Sequence, residues 1–203
     1  MPFSSDAYSP AQKTLHWLIA ALVVVLVPVG LSMANLMEDG PIKNGAYELH
    51  KSFGLTVFGL ALLRVAVRLV RGAPPLVPGI PAWQRAAARG SHYALYLLII
   101  LVPLSGWTAT STCCAPVNLF WTVPLTLPLP WEGGMDQSKP IFLVHYALAF
   151  ALTAIVLVHV SAALHHHFVR RDRTLLRMLP GALGGVSAGE GQQVGMPHDA
   201  GGR

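Results

Sequence analysis

Four histidines lie inside long apolar stretches of the chain, at depths that match in pairs. His16 lies near the start of the first stretch, and His50 and His145 lie near the starts of the second and the fourth. Because successive stretches run in opposite directions, His50 and His145 share one end. His159 follows His145 by fourteen residues, which is roughly 21 Å along a helix and returns to within about 40° of the same face. We therefore predict two pairs, His50 with His145 at one end and His16 with His159 at the other.

Haem ligation is the chemistry that suits two separate pairs of facing histidines. A histidine inside a membrane helix is costly unless it has a partner, so each is a candidate functional residue. Haem iron takes two axial imidazoles on opposite faces of its ring, and helix bundles hold such cofactors in their cores. Zinc or copper needs three or four ligands in one small volume. For a single histidine, a hydrogen bond to a neighbouring helix explains the position equally well, but four in matched pairs favour haem.

The composition predicts the elements that carry these histidines. Of 203 residues, 53% are hydrophobic and 11% are charged, whereas roughly 25% of a typical soluble domain is charged. Apolar stretches cover residues 15–37, 49–70, 91–112 and 141–168, and each is long enough to cross ~30 Å of hydrocarbon as a helix. None of them contains Asp or Glu, which disfavours a proton relay or a cation transporter. We predict an all-α integral membrane protein, a four-helix bundle with two haems in its core.

The basic residues predict the orientation of this bundle. The bundle domain is expected over residues 8–180, with a disordered Gly-rich tail over residues 181–203. If both termini share one side, that side holds eleven of the fourteen Lys and Arg residues. The positive-inside rule then places both termini in the cytoplasm, with the bundle in the bacterial inner membrane. The net charge of +5 thus reflects topology, and nucleic acid is not an expected partner because the basic residues flank lipid-embedded spans.

Capping residues predict where the helices begin. Ser9 with Gln12 forms a capping-box pattern before the first helix. Asn44 is the predicted cap of the second helix and Ser138 of the fourth. Residues 113–131 are apolar but broken by four prolines, so they are expected to lie at the interface and to cover one end of the bundle.

Several motifs resemble those of the prokaryotic cytochrome b561 family. They are LHW at residues 15–17, LHKSFG at 49–54, SGW at 105–107, the helix start around His145, and VHVSAALHHHF with RDRTLLRMLP within 158–180. The resemblance covers about residues 8–180. It implies a four-helix inner-membrane protein that carries two non-covalent haem b groups and exchanges electrons with quinone.

The resemblance also implies functions for particular residues. It implies axial haem ligation at His16, His50, His145 and His159, the four histidines that the spacing selects. One type of family member oxidises superoxide and passes the electron to ubiquinone. No CxxCH motif occurs in this chain, so the haem is expected to be extractable.

Two further histidines are candidates for the quinone site. His166 lies seven residues after His159 and continues the ligand face of the helix. His92 is expected at a similar level, at the start of the third helix. Histidine can donate a hydrogen bond to a quinone carbonyl and supply a proton, although contact with lipid headgroups explains both positions as well. Lys51, beside His50, is the candidate for attracting an anionic donor, because the loops on its side carry a net charge of −2 and give no long-range attraction.

Other residues carry weaker signals. Arg64 and Arg68 are candidates for contacting haem propionates, with snorkelling to the headgroups as the alternative. Gly54, one turn after His50, would let a flat ring approach the helix or would serve helix packing. The two cysteines, Cys113 and Cys114, are adjacent, so they offer neither a disulfide framework nor a CxxC zinc pair, and we assign them no function.

Three interpretations of function remain open. The first is an electron-transfer enzyme that takes electrons from a periplasmic donor, superoxide by family resemblance, and delivers them to ubiquinone. The second is a haem b membrane-anchor subunit of a dehydrogenase or hydrogenase, with the apolar segment 113–131 as its docking surface. The third is a His-lined metal transporter, and a haem absorption spectrum would separate it from the other two.

Overall fold

A computed structural model describes residues 7–76, 79–114, 117–129 and 133–180 of the chain. Four long helices dominate it: α1 (Pro10–Asn35), α2 (Pro41–Arg71), α3 (Ala82–Cys113) and α4 (Met135–Phe168). Each is long and apolar enough to cross a membrane, which confirms the predicted four-helix transmembrane bundle. The predicted disordered tail over residues 181–203 lies outside the described residues.

The helices pack in the order in which they follow one another. The core joins α2, α3 and α4 through Ala61, Leu98, Ile99 and Leu152. Close packing connects α1 with α2, α2 with α3 and α3 with α4, but α1 and α4 are not among the closely packed pairs of described elements. Large apolar side chains cover the outside of the bundle, as expected for helices that face lipid.

The helix starts confirm one capping prediction and correct two. Ser9 Oγ accepts the backbone N–H of Gln12, and the Gln12 side chain accepts the N–H of Ser9, so the predicted capping box is present. The predictions for Asn44 and Ser138 are wrong, because α2 begins at Pro41 and α4 at Met135, with glycines at both caps. A proline at the first helical position has its φ already set and lacks only an N–H that would be unpaired, which explains the earlier start of α2.

One end of the bundle carries a short hairpin, and we call it the hairpin end. Strands β1 (Val117–Leu119) and β2 (Val123–Leu125) pair antiparallel, and β1 packs against α2 and α3. The fully buried Ser52 holds the hairpin, since its Oγ accepts the Phe120 N–H at 2.9 Å. The segment therefore covers part of the bundle end as predicted, but as a strand pair that the sequence analysis did not predict.

A disulfide bond joins Cys113 and Cys114 where α3 ends. The Sγ atom of Cys114 lies 3.6 Å from Sδ of Met135, the first residue of α4. The adjacent cysteines thus form a bond that the sequence interpretation did not expect, and nothing in the structure assigns it a function.

At the opposite end, which we call the basic end, residues 169–180 fold back across the helices. This C-terminal strap is held by α1, where Trp17 Nε1 donates to the carbonyl of Met178 at 2.8 Å and Lys13 Nζ donates to that of Leu179 at 3.2 Å. It also contacts α3, where Arg170 donates to the Gln84 side chain at 2.8 Å. The strap therefore holds the ends of the helices together at the basic end.

Candidate functional site

His50 on α2 and His145 on α4 face each other near the hairpin end. Their ring centroids lie 6.4 Å apart, with an angle of 81° between the ring planes. The first predicted pair is therefore close in space, although its members are 95 residues apart in sequence.

The ring of His145 is oriented by α3. Its Nδ1 lies 2.9 Å from the backbone carbonyl of Val102 and 3.2 Å from Ser105 Oγ. Because a carbonyl oxygen can only accept, Nδ1 must carry the hydrogen, and this leaves the lone pair of Nε2 available to a metal ion. A ligating histidine is commonly oriented by such a bond through its other nitrogen.

Glycines allow both rings to approach the neighbouring helices. A Cβ atom on Gly30 of α1 would lie 3.0 Å from Cε1 of His50, and one on Gly106 of α3 would lie 3.0 Å from Cε1 of His145. A Cβ on Gly54 would meet no atom within 4 Å, although Gly54 lines the cavity between the helices. Two glycines therefore make room for the histidine rings, and the third leaves part of the cavity wall without a side chain.

This cavity is bounded by residues from all four helices. Its walls are mainly apolar, and they include both His50 and His145. An apolar cavity with a few well-placed nitrogen donors is typical of a cofactor site. Its lining includes neither His16 nor His159.

His16 on α1 and His159 on α4 form the second predicted pair, closer to the basic end. Their ring centroids lie 6.3 Å apart, with the planes at 77°. Arg64 of α2 is near enough to interact electrostatically with both rings. Its Nη1 donates to the carbonyl of Gln12 at 3.0 Å, and its guanidinium lies over the Tyr96 ring. Arg64 thus lies against α1 and α3 at this end of the bundle, and its contact with a propionate stays a prediction.

His92 lies beside this second pair, and this position differs from the predicted one. Its ring centroid is 5.4 Å from that of His159. The sequence analysis placed His92 at the surface because it began the third helix at residue 91, whereas α3 begins at Ala82. Ten residues of helix move a side chain about 15 Å inward. His92 therefore lies beside the interior histidines, and it does not lie with His166 at the end of α4.

The donor set fits haem better than a bare metal ion. Two imidazoles that bind one metal ion from opposite sides, each through a nitrogen about 2 Å away, have ring centroids about 6.3 Å apart. The pairs at 6.4 and 6.3 Å match this spacing, whereas His92 and His159 are closer together. Within the described ranges, no three His, Cys, Asp or Glu side chains come together in a group that could hold a metal ion.

His166 lies apart from both pairs, where α4 meets the strap. Its Nδ1 is 2.5 Å from Oδ2 of Asp172, a residue of the strap that the sequence interpretation did not select. The motif RDRTLLRMLP contains this aspartate, but nothing in the sequence indicated that the chain turns back onto His166.

Lys51, the donor-side candidate, is tied to a carboxylate. It forms an ion pair with Glu48, and both side chains are largely buried. Glu48 lies within α2, which begins at Pro41, eight residues before the apolar stretch, so this helix does contain an acidic residue. Its second oxygen is buried and has no hydrogen-bond partner in the described part of the chain.

The other two lysines at the hairpin end are also paired with acidic residues. Lys43 binds Asp39 and Lys139 binds Asp136, each at 2.8 Å. The hydrogen bond from Lys43 holds the pKa of Asp39 below its usual value. Each of the three lysines at the hairpin end therefore forms an ion pair with a neighbouring carboxylate.

The chain is similar to known proteins over most of its length. The family model described as prokaryotic cytochrome b561 matches residues 7–181. The chain belongs to the prokaryotic cytochrome b561 family. Its members are membrane b-type cytochromes of electron transport, so this chain is a multi-pass bacterial membrane protein in a family that carries b-type haem.

Individual relatives cover nearly the whole chain. "Cytochrome b561 homolog 2" of Escherichia coli is 32% identical over 176 residues, which are 86% of this chain and 92% of that protein. "Cytochrome b562" of Cereibacter sphaeroides is 34% identical over 85% of this chain and 94% of its own length. "Probable superoxide oxidase CybB" of Yersinia pestis is 29% identical over 85% of this chain and 96% of its own length.

Proposed function

We propose that this cytochrome b561 family member transfers single electrons across the inner membrane, from a periplasmic donor to ubiquinone. In this proposal His50 and His145 hold one haem b near the periplasm, and His16 and His159 hold the other near the cytoplasm. Haem b bound at these two depths would supply reversible one-electron chemistry. The observation that carries the proposal is the matched spacing of the two pairs, 6.4 and 6.3 Å.

The orientation within this proposal follows from charge. Among the described residues, the basic end carries ten of the thirteen Lys and Arg residues, which supports placing it in the cytoplasm. The hairpin end, with His50 and His145, then faces the periplasm. A quinone would be reduced near the basic end, where a cytoplasmic proton can be taken up.

Particular residues support the second site in this proposal. Arg64 interacts electrostatically with His16, His92 and His159, so it is the first candidate for binding a propionate of a haem held at this end. Arg68 is electrostatically close to His92 and is the second candidate for this contact. Together they would hold the propionates of a haem b bound between His16 and His159.

Superoxide is the donor we propose, because a relative of 29% identity is named a probable superoxide oxidase. Lys51 is the residue nearest in sequence to His50 that could attract an anion, and it lines the cavity. Its ion pair with Glu48 reduces this attraction, so the proposed effect is local. Lys51→Gln should slow reduction by superoxide more than Lys139→Gln, its control at the same end.

The test is stopped-flow absorption of the purified protein mixed with superoxide, with and without ubiquinone. Haem reduction that superoxide dismutase abolishes, followed by reoxidation when ubiquinone is present, is the expected result. No reduction by superoxide would contradict the proposed donor. No reoxidation by ubiquinone would contradict the proposed acceptor.

The anchor-subunit function is a second candidate because the hairpin exposes apolar side chains. Trp121 is 60% exposed and Val123 is 49% exposed, and a partner subunit could cover them. Reoxidation by ubiquinone without reduction by superoxide would favour this candidate. Membership of a family of membrane b-type cytochromes favours both of these candidates over a metal transporter.

A further inference from the structure

Asp172 turns back onto His166 through two separate contacts. Its carboxylate Oδ2 lies 2.5 Å from His166 Nδ1, and its backbone N–H donates to the His166 carbonyl at 3.1 Å. The reversal that makes this possible occurs at Arg171, which has a φ of +54°. This left-handed conformation costs a non-glycine residue about 1 kcal/mol, so the surrounding contacts must maintain it.

The Asp172 carboxylate is held in its ionised form. Partial burial raises its pKa, but hydrogen bonds from Thr174 and His166 outweigh that effect and leave the pKa below its usual value. The Thr174 N–H donates to Oδ1 at 2.9 Å, and Arg170 Nε lies 3.8 Å from Oδ2. The ring of His165 is the other titratable group beside His166, with its centroid 6.1 Å away. Among the described residues, His166 therefore faces the Asp172 carboxylate, and the Arg170 guanidinium lies near that carboxylate.

The contact defines which nitrogen of His166 can exchange a proton. A carboxylate can only accept a hydrogen bond, so Nδ1 of His166 carries its hydrogen toward Asp172. Nε2 is then the nitrogen that can gain and lose a proton. The two side chains are 18% and 22% exposed, so they are partly shielded but reachable by water.

We propose that Asp172 is a positioning residue that holds His166 ready to deliver protons to ubiquinone at the basic end. The proposal rests on the proposed function, because it requires a quinone to be reduced there. Ubiquinone takes up two electrons and two protons to become ubiquinol. The electrons arrive one at a time from the donor of the proposed function. His166 Nε2 gives one proton to the carbonyl oxygen that it faces and is reprotonated from water on the same side, while the opposite oxygen takes its proton from water. Asp172 stabilises the ring while Nε2 carries its proton.

The test compares Asp172→Asn and Asp172→Ala with Asp136→Asn, a control in which an exposed aspartate at the hairpin end loses its charge. Each protein is reduced with dithionite without oxygen and mixed with a short-chain ubiquinone, so that the periplasmic donor plays no part. We expect the Asp172 variants to lower the saturated rate by about 10- to 100-fold, as losses of an orienting partner commonly do. The quinone concentration at half-saturation should change less than about twofold, and the H2O/D2O rate ratio should rise because proton transfer becomes limiting. Asp172→Glu should restore part of the rate.

A double-mutant cycle separates this function from a structural one. If Asp172 acts through His166, adding Asp172→Asn to His166→Gln should slow the reaction little further. Unchanged rates in the Asp172 variants, with a slow His166→Gln protein, would overturn the positioning proposal while leaving the quinone site intact. Failure of wild-type protein to react with the quinone would instead overturn the proposed function. An equal loss in the Asp136→Asn control, or a slower rate without a change in the isotope ratio, would also overturn the positioning proposal.

Discussion

Gly106→Ala is expected to remove haem selectively from the hairpin end. The added Cβ would lie 3.0 Å from Cε1 and 3.1 Å from Nδ1 of His145. The ring cannot simply retreat, because its Nδ1 is bonded to the Val102 carbonyl one turn earlier on the same helix. The substitution must therefore displace the ring or break this hydrogen bond, and either change alters where Nε2 points.

The expected magnitude combines two opposing effects. Forcing an extra methyl group into a packed interior costs about 1–3 kcal/mol, and the cost falls on the position of the His145 ring. Alanine in place of glycine within a helix stabilises the fold by about 0.5–1 kcal/mol. Since 1.4 kcal/mol corresponds to a factor of ten, haem affinity at this site should fall by about 5- to 150-fold, while the unfolding temperature changes little.

The assay is the haem-to-protein ratio after purification, with absorption and EPR spectra to identify the remaining haem. Gly59→Ala is the matched control, because a Cβ there meets no atom within 4 Å. Gly106→Ala should lose haem towards one per chain and keep the signal of the other site, whereas Gly59→Ala should keep both. Two haems with wild-type spectra in Gly106→Ala would refute the assignment of His145 as a ligand oriented by α3.

Four further predictions follow from the same contacts. His92→Ala should keep both haems with low-spin spectra, because the 5.4 Å spacing to His159 is short for an opposed pair, and loss of a haem in the purified variant would identify His92 as a ligand. Gly54→Ala should leave the fold unchanged but lower haem content, since its methyl group meets no protein atom and enters the cavity; haem content equal to wild type would contradict this use of the cavity. Ser52→Ala leaves the hairpin N–H without its acceptor, so chemical denaturation should show a loss of about 1–3 kcal/mol, and an unchanged midpoint would show that the hairpin is held otherwise. The pKa of Asp172 is lowered by folding, so its stabilisation of the strap is present above the unfolded pKa of about 3.9 and is lost as the pH falls through the folded pKa. Strap amides of the wild type should therefore lose more protection against hydrogen exchange, as the pH falls to about 3, than those of Asp172→Asn. Equal pH dependence of protection in the two proteins would contradict this.

The sequence was sufficient to predict the four helices and the pairing of the four histidines. Hydrophobic length identifies a membrane-spanning helix, because a helix pairs its own backbone groups and needs about 20 apolar residues to cross the hydrocarbon. The pairing followed because fourteen residues on a helix return to nearly the same face, and this periodicity holds wherever the helix begins. The ligand candidates were therefore insensitive to errors in the helix ends.

Features that depend on helix ends were predicted less well. The apolar pattern ends where polar residues begin, but α2, α3 and α4 continue through polar residues beyond it. The earlier start of α3 brings His92 beside His159, and His92 was misplaced for that reason. A proline at the start of α2 was the available signal for its earlier beginning.

Contacts made by the loops could not be predicted from sequence pattern. The hairpin turns at Phe120 and Trp121, which have φ values of +48° and +60°. Such turns are usually marked by Gly, Asn or Asp, and here they are maintained by contacts such as the packing of Phe120 on Phe53. The Asp172–His166 contact depends likewise on the tertiary position of the strap, which local sequence does not encode.

The measurement that tests the central claim most directly is the haem stoichiometry of the purified wild-type protein by pyridine haemochrome analysis, with quantitative EPR of the oxidised form. Two opposed histidine pairs at 6.4 and 6.3 Å predict two acid–acetone-extractable b haems per chain, both low-spin with bis-histidine signatures. One haem per chain, or two of which one is high-spin, would contradict the assignment of His16, His50, His145 and His159 as two ligand pairs.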